Sequence, residues 1–165
     1  RLLRQSISNE DEVVPLAREV EYAKGYLTIQ KMRYKDKLEF EIDVEPSILN
    51  IPLIKLVLQP IIENAIYHGL KYKESKGLLQ VKGFMKDGNA VLQVIDNGVG
   101  MDEETLSHIY DKHKVNYHSN GVGVYNVQKR LKLYYGENYG ITYESEKGVG
   151  TTATITIPGI QEESI

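Results

Sequence analysis

Alternation of apolar and polar residues predicts most of the strands of this chain. Residues 38–44 alternate strictly between apolar and acidic side chains, which is typical of a strand with one face in water. Two apolar segments, around 79–85 and 90–95, flank an Asp-Gly-Asn turn and predict a hairpin. Segments 141–146 and 152–157 flank a glycine-containing turn and predict a second hairpin.

The sequence also predicts four helices, before and between these strands, three of them from apolar residues at helical spacing. The first starts at Pro15 and runs to about Met32, and it either packs against its own domain or continues a longer dimerising helix upstream. The second runs from Pro52 to about Gly69 and is so apolar that most of it must be buried, with a bend at Pro60.

The remaining helices flank a polar, irregular stretch at 111–120. A short helix is predicted from Glu103 to Tyr110, with acidic residues in its first turn. A longer helix opens at Gly121-Val122-Gly123 and ends before Gly136. The order strand, helix, two strands, lid-like segment, helix, two strands predicts a sheet with helices packed on one face.

Composition limits the functional classes. The 165 residues are enough for one domain with an N-terminal extension, and no apolar run approaches the roughly 20 residues of a membrane span. The net charge of -3, with both signs intermingled, argues against a nucleic-acid surface. The absence of cysteine excludes disulfides and thiolate sites, and we expect a cytoplasmic protein.

Three polar or glycine-rich features are candidates for chemistry. The stretch 96–100 (DNGVG) follows a predicted buried strand, where it forms either the floor of a ligand pocket or an ordinary turn. Asn64 and His68 share one face of the buried helix. They are either hydrogen-bonded residues of the core or part of a binding site. Gly121 and Gly123 precede a helix, where they form either an ordinary glycine-rich loop or a phosphate-binding site. Taken together, these features suggest a purine nucleoside triphosphate.

Three segments in order resemble the motifs of a known family. Segments 63–69, 96–100 and 121–127 are similar to the N, G1 and G2 boxes of the GHKL ATPase superfamily, and the run 58–65 most resembles the LytS/YesM-type bacterial sensor histidine kinases. The resemblance covers about residues 13–158. It implies an α+β fold, a two-layer α/β sandwich with a mixed, mainly antiparallel sheet and helices on one face.

The resemblance also implies a division of the chain. Residues 1–35 would be a lead-in and linker helix at the end of the dimerisation and phosphoacceptor region. Residues 36–158 would be the ATP-binding catalytic domain, and residues 159–165 a tail. Because the chain begins at Arg1, we expect a longer parent protein, anchored in a membrane by segments outside this piece, which is itself not membrane-inserted.

At the adenine end, the resemblance implies roles for four residues. Asp96 would accept a hydrogen bond from the adenine amino group, and Thr151 would support it through a hydroxyl or a water. Gly98 and Gly100 would shape the base pocket.

At the phosphate end, the resemblance implies that Asn64 coordinates Mg²⁺ bridging the ATP phosphates and that His68 lies along the nucleotide. The lid and helix start would close on the phosphates through four neighbouring residues: Gly121, Val122, Gly123 and Val124. Glu63 is a candidate catalytic residue beside Asn64, because a glutamate of this box activates water in hydrolytic relatives. A histidine kinase, in contrast, needs no attack by water.

The implied reaction transfers the γ-phosphoryl of Mg·ATP to a histidine upstream of Arg1, because no phosphoacceptor motif of this branch occurs in the chain. Implied partners are the protein's own phosphoacceptor domain, a second copy as a homodimer and a response regulator.

No F box is recognisable after Met101, and we interpret His108, His113 and His118 as solvated lid residues. The alternatives are another GHKL ATPase or anti-sigma-factor serine kinase, and a non-catalytic nucleotide-sensing module.

Overall fold

The computed structural model describes residues 13–71, 73–111 and 123–160. Its elements in chain order are β1 Val13–Pro15, α1 Leu16–Tyr34, β2 Leu38–Val44, β3 Pro52–Ile54, α2 Leu58–Asn64, β4 Gly77–Lys86, β5 Asn89–Asp96, α3 Glu103–Ser107, α4 Val124–Tyr135, β6 Gly140–Glu146 and β7 Gly150–Pro158. Short 3₁₀ turns occupy Lys35–Lys37 and Pro46–Ile48, and a π-helical segment, Ala65–Leu70, continues α2.

The central sheet has five strands in the order β2-β4-β5-β7-β6. Strands β2 and β4 are parallel, whereas the other three neighbouring pairs are antiparallel. Both predicted hairpins, β4-β5 and β6-β7, are present. The predicted α+β fold with a mixed, mainly antiparallel sheet is therefore confirmed.

One continuous apolar core lies between the sheet and the three long helices. The inward residues of the central strands, such as Leu92 and Ile155, are almost completely buried. Helix α1 contributes Leu16, Ala23 and Leu27 to the same core, each with no exposed surface. Helix α1 thus packs against its own domain along this face, and the predicted domain boundary after residue 35 stays a prediction.

The predicted start of the second helix is wrong. Residues Pro52–Ile54 form β3, which pairs antiparallel with β1, and the helix begins only at Leu58. Leu56 separates the two elements with a φ of +62°, a left-handed conformation that ends the extended segment. Since Pro60 falls in the first turn of α2, where its missing N–H removes no intrahelical bond, the reason for a predicted bend there disappears.

One other helix boundary differs from the prediction, since helix α3 ends at Ser107 instead of Tyr110. The second helix extends to Leu70, close to the predicted end at about Gly69, but its last turns are π-helical. On α1, the apolar residues Ile29 and Met32 belong to the predicted helix but remain exposed, at 63% and 72%.

The turn before α2 is held by two charged side chains from distant helices. The Glu19 carboxylate of α1 is 3% exposed and accepts hydrogen bonds from the backbone N–H groups of Val57 and Leu58, at 2.8 and 3.2 Å. The Arg130 guanidinium of α4 donates to the carbonyl oxygens of Lys55 and Leu56. Glu19 therefore acts as the N-terminal cap of α2, which has no cap from its own first residues.

Replacing Glu19 with alanine tests this cap. We expect Glu19→Ala to lower the free energy of unfolding by about 2 to 3 kcal/mol, because two buried N–H groups lose their acceptor. Urea denaturation of wild type and variant measures the loss. The control is Glu21→Ala, which changes an exposed glutamate of the same helix, and equal losses in both variants would contradict the capping role.

Candidate functional site

A cavity of about 650 Å³ opens between the inner face of the sheet and helices α2 and α4. This volume is in the range of small-molecule and cofactor pockets. Its lining brings together seven of the predicted site residues from four separate parts of the chain: Asn64, His68, Asp96, Gly100, Gly123, Val124 and Thr151. These residues are far apart in sequence, so the fold alone makes them neighbours.

The other predicted site residues lie elsewhere. Gly98 is buried behind Asp96 and does not line the cavity. Glu63 also lies outside the lining, and its carboxylate accepts a hydrogen bond from the Gln59 amide at 3.0 Å. Gly121 and Val122 fall outside the described residues, so their placement stays a prediction.

Asp96 is the last residue of β5 and one of the few buried charged groups in the described structure. Asp96 is 6% exposed. Its carboxylate accepts a hydrogen bond from the backbone N–H of Gly98, at 2.8 Å, and another from the backbone N–H of Thr151. Burial raises the pKa of Asp96 from 3.8 to about 6, although the two backbone donors oppose the shift. The loss of hydration therefore outweighs the hydrogen bonds in the ligand-free protein.

Thr151 contacts Asp96 through its backbone N–H, and the predicted support through its hydroxyl or a water stays a prediction. The Thr151 hydroxyl lies 2.7 Å from the Ser145 hydroxyl, which also accepts a hydrogen bond from the Met101 N–H at 2.8 Å. Strands β6 and β7 are thereby tied to the segment that follows the Asp96 loop.

Backbone packing around Asp96 explains two of the glycines. A side chain at position 98 would collide with the Gly69 carbonyl, because the loop after β5 packs directly on the end of the π-helical segment. Gly100 has a φ of +69°, in the left-handed region that most residues avoid, and it faces the turn that begins at Glu146. The close approach of backbone to backbone leaves no room for a side chain at either position, and at Gly100 it leaves the cavity wall without one.

The beginning of α4 forms the other end of the cavity. Gly123 is the N-terminal cap residue in an extended conformation, and Val124 is the first helical residue. Three residues that sequence reasoning did not assign also line the cavity here: Tyr125, Asn126 and Lys129. Since residues 125 and 129 are four apart and share one helix face, helical periodicity could have pointed to Lys129. A helix N-terminus with a lysine beside it favours an anionic group.

Tyr143 is a further lining residue that sequence reasoning missed. It lies on β6 at an inward position, opposite Ala153 of β7, which in turn pairs with Val94 of β5. Strict alternation along β6 could have placed it on the inner face, but nothing in the sequence indicates that a cavity lies there.

The described part of the chain holds no group of three or more histidine, cysteine or acidic side chains that could bind a metal ion. Of the predicted lid histidines, His108 is exposed and contacts Asp111 at 3.0 Å, whereas His113 and His118 lie outside the described residues. None of the helices within 13–71, 73–111 and 123–160 is long and apolar enough to cross a membrane.

A mixed sheet covered on one face by helices, with a cavity that runs from a buried aspartate to a helix N-terminus, defines a GHKL-type ATPase domain. Residues 50–161 match the family model described as "Histidine kinase-, DNA gyrase B-, and HSP90-like ATPase", and residues 1–38 match the "Histidine kinase" model. The chain belongs to this ATPase family, whose domains bind ATP, and its sequence is of the LytS/YesM type.

The curated relatives are sensor kinases. The chain is 32% identical over 157 residues to "Sensor histidine kinase YesM" of Bacillus subtilis, covering 95% of the chain and 26% of the relative. It is 35% identical over 130 residues to "Sensor protein LytS" of Oceanobacillus iheyensis, covering 78% of the chain and 22% of the relative. The chain thus spans about a quarter of the length of these relatives.

Solved structures agree on the fold. The Acinetobacter baumannii histidine kinase AdeS has a TM-score of 0.68 at 19% identity, covering 97% of this chain and 73% of that one. The catalytic domain of histidine kinase ThkA has a TM-score of 0.67 at 14% identity, covering 90% of this chain and 98% of that one.

The raised pKa of Asp96 predicts a specific pH dependence of stability. A carboxyl group whose pKa is higher in the folded state stabilises the fold fully below pH 3.8, and that contribution is lost as the pH rises through about 6. We expect the free energy of unfolding of wild type minus that of Asp96→Asn to fall by about 2 to 3 kcal/mol between pH 4 and pH 7. Denaturant titrations of both proteins across this range measure the difference, and a flat difference would contradict the shift.

Proposed function

We propose that this chain binds Mg·ATP in the cavity and transfers the γ-phosphoryl group to a histidine in an upstream part of its parent protein. The main observation that supports this proposal is the cavity, which extends from the buried Asp96 carboxylate to the N-terminus of α4. A nucleotide has matching ends, with an amine donor on the adenine and negative charge on the phosphates.

At the adenine end, Asp96 is the proposed acceptor for the exocyclic amine. Its backbone donors, Gly98 and Thr151, hold the carboxylate in place, and a ligand amine would add the hydrogen bond that burial has taken from water. Guanine presents a carbonyl oxygen at the corresponding position, so it would face the carboxylate with like partial charge. We therefore propose that the site selects adenine over guanine, with Gly100 leaving room beside the base.

At the phosphate end, the proposed contacts come from α2 and α4. Asn64 and His68 line the cavity one helical turn apart, and we propose that His68 lies along the ribose or phosphates. The backbone at Gly123 and Val124, with Lys129 nearby, supplies positive charge for the phosphates. We propose the same closing role for Gly121 and Val122, which precede this helix.

The donor set around Asn64 fits a magnesium ion that arrives with its nucleotide. Mg²⁺ prefers oxygen ligands and is commonly held by one or two protein groups together with substrate phosphates rather than by a complete protein cage. The Asn64 amide oxygen would be its protein ligand. When bound, the ion neutralises charge on the transferring phosphoryl group, while the residues of this chain bind and orient the nucleotide.

The remaining partners are proposals for the parent protein. They comprise its dimerisation and phosphoacceptor domain, a homodimer, a membrane anchor and a response regulator. Their support is the sensor-kinase relatives and, among similar structures, the ThkA histidine kinase "in complex with response regulator protein TrrA".

Asp96→Asn tests the adenine contact. We expect its affinity for Mg·ATP to fall about 10- to 100-fold, because the amide presents one acceptor oxygen where the carboxylate presents two and loses the charge. Isothermal titration calorimetry at pH 7.5 measures this, and GTP should bind wild type far more weakly than ATP does. The matched control is Asp87→Asn in the exposed β4-β5 turn, which should bind ATP normally. Wild type that binds no Mg·ATP while folded would overturn the proposed function.

Phosphotransfer is tested with a histidine-bearing helical segment of the parent protein as acceptor. We expect label from γ-³²P-ATP on that segment only when this chain is present. A chain that binds ATP and transfers nothing would instead be a nucleotide-sensing module.

Steady ATP hydrolysis is the second candidate function, with Glu63 as the base that activates water. The position of Glu63 outside the cavity lining favours the kinase. We expect Glu63→Gln, which keeps an oxygen for the Gln59 amide, to leave both ATP affinity and slow background hydrolysis unchanged. A steady hydrolysis rate that falls by more than about tenfold in this variant would favour the ATPase.

A further inference from the structure

The Tyr143 hydroxyl is the buried side-chain oxygen that finds no hydrogen-bond partner in the described structure. Buried polar groups are almost always paired, and an unpaired one lowers stability because it has lost its water. Its ring lines the cavity, so the unpaired hydroxyl lies at the proposed nucleotide site and not in a remote part of the core.

The neighbours of Tyr143 hold its ring in place. Tyr110 packs edge-on against it, with ring centroids 6.0 Å apart, and the Tyr110 hydroxyl donates to the Ile141 carbonyl at 2.8 Å, which ties it to the same strand. Across the sheet Tyr143 faces Ala153, whose small side chain leaves the cavity open beside the ring. The tyrosine therefore cannot easily swing out to water to satisfy its hydroxyl.

Asn64 is a polar side chain near the Tyr143 hydroxyl, and both residues line the cavity. Burial raises the pKa of the Tyr143 phenol above its usual range, Tyr110 and Asp96 raise it further, and the nearby Asn64 side chain opposes the rise. Asn64 and Tyr143 line the same cavity from facing elements, α2 and β6, and Asn64 is close enough to influence the hydroxyl, although the pair does not meet hydrogen-bond geometry. A phenol that stays neutral at pH 7 can both donate and accept a hydrogen bond.

We propose that Tyr143 is a positioning residue for Asn64, and that its hydroxyl gains its partner only when Mg·ATP binds. The Asn64 amide has an NH₂ donor and a carbonyl acceptor that can exchange places by a half-turn of the side chain. If the NH₂ group donates to the Tyr143 hydroxyl, the carbonyl oxygen is the end left for the magnesium ion of the nucleotide. This inference rests on the proposed function and names the group that orients its metal ligand.

Tyr143→Phe removes the hydroxyl and keeps the ring. We expect the ligand-free variant to be at least as stable as wild type in urea, because an unpaired polar atom has been removed. Its affinity for Mg·ATP should fall about tenfold by calorimetry, whereas its affinity for ATP in excess EDTA should match that of wild type. A tyrosine with a merely structural role would not give unchanged or higher stability together with weaker Mg·ATP binding.

Tyr110→Phe is the matched control, since it removes a hydroxyl that does have a partner. That variant should lose stability and bind Mg·ATP like wild type.

Three results would overturn the inference. The first is an unchanged Mg·ATP affinity in Tyr143→Phe, and the second is a loss of stability in that variant. The third is an equal loss of affinity with and without the metal, which would make the hydroxyl a direct nucleotide contact. If wild type itself binds no Mg·ATP, the proposed function fails, whereas normal binding by wild type and variant alike overturns only the role of Tyr143.

Discussion

The burial of the Asp96 carboxylate constrains the packing of the whole site. Three segments meet at this group: the π-helical end of the second helix at Gly69, the loop that begins at Gly98, and the start of β7 at Thr151. Only backbone donors reach the carboxylate in the hydrogen bonds described here, and burial still raises its pKa to about 6. A ligand amine at this place would supply the interaction that the protein alone does not provide. Burial of the carboxylate destabilises the ligand-free protein, and under the proposed function it would favour a ligand that carries such an amine.

The second constraint lies at the opposite end of the same helix. The turn before α2 has a residue with positive φ, Leu56, and it keeps its shape between the Glu19 carboxylate and the Arg130 guanidinium. The helix that carries Asn64 is thus held at its start by α1 and α4 and at its end by the packing around Asp96. Because the start of α4 also lines the cavity at the proposed phosphate end, the same contacts position both walls of the site.

Much of the fold could be predicted because its signals are local. Residues 38–44 alternate in polarity since one face of β2 meets water, and the glycine-containing turns define both hairpins. The candidate site was also readable in part, because Asn64, Asp96 and Gly123 sit in short motifs whose order along the chain is distinctive. The prediction of a helix at residues 52–54 failed because the signal that decides the structure there is not local. Pro52–Ile54 is a strand because β1 pairs with it, whereas the apolar stretch 53–58 by itself favours a helix.

The sequence by itself determined the five strands of the central sheet, the buried core of the second helix and the family, because side-chain periodicity and short motifs depend on neighbouring residues. Tertiary structure decided which polar residues converge. It placed Lys129 and Tyr143 in the cavity, left Glu63 outside it, and made Glu19 a cap for a helix that begins 39 positions later along the chain. Such choices depend on distances between residues far apart in sequence, and only the packed sheet and helices set those distances.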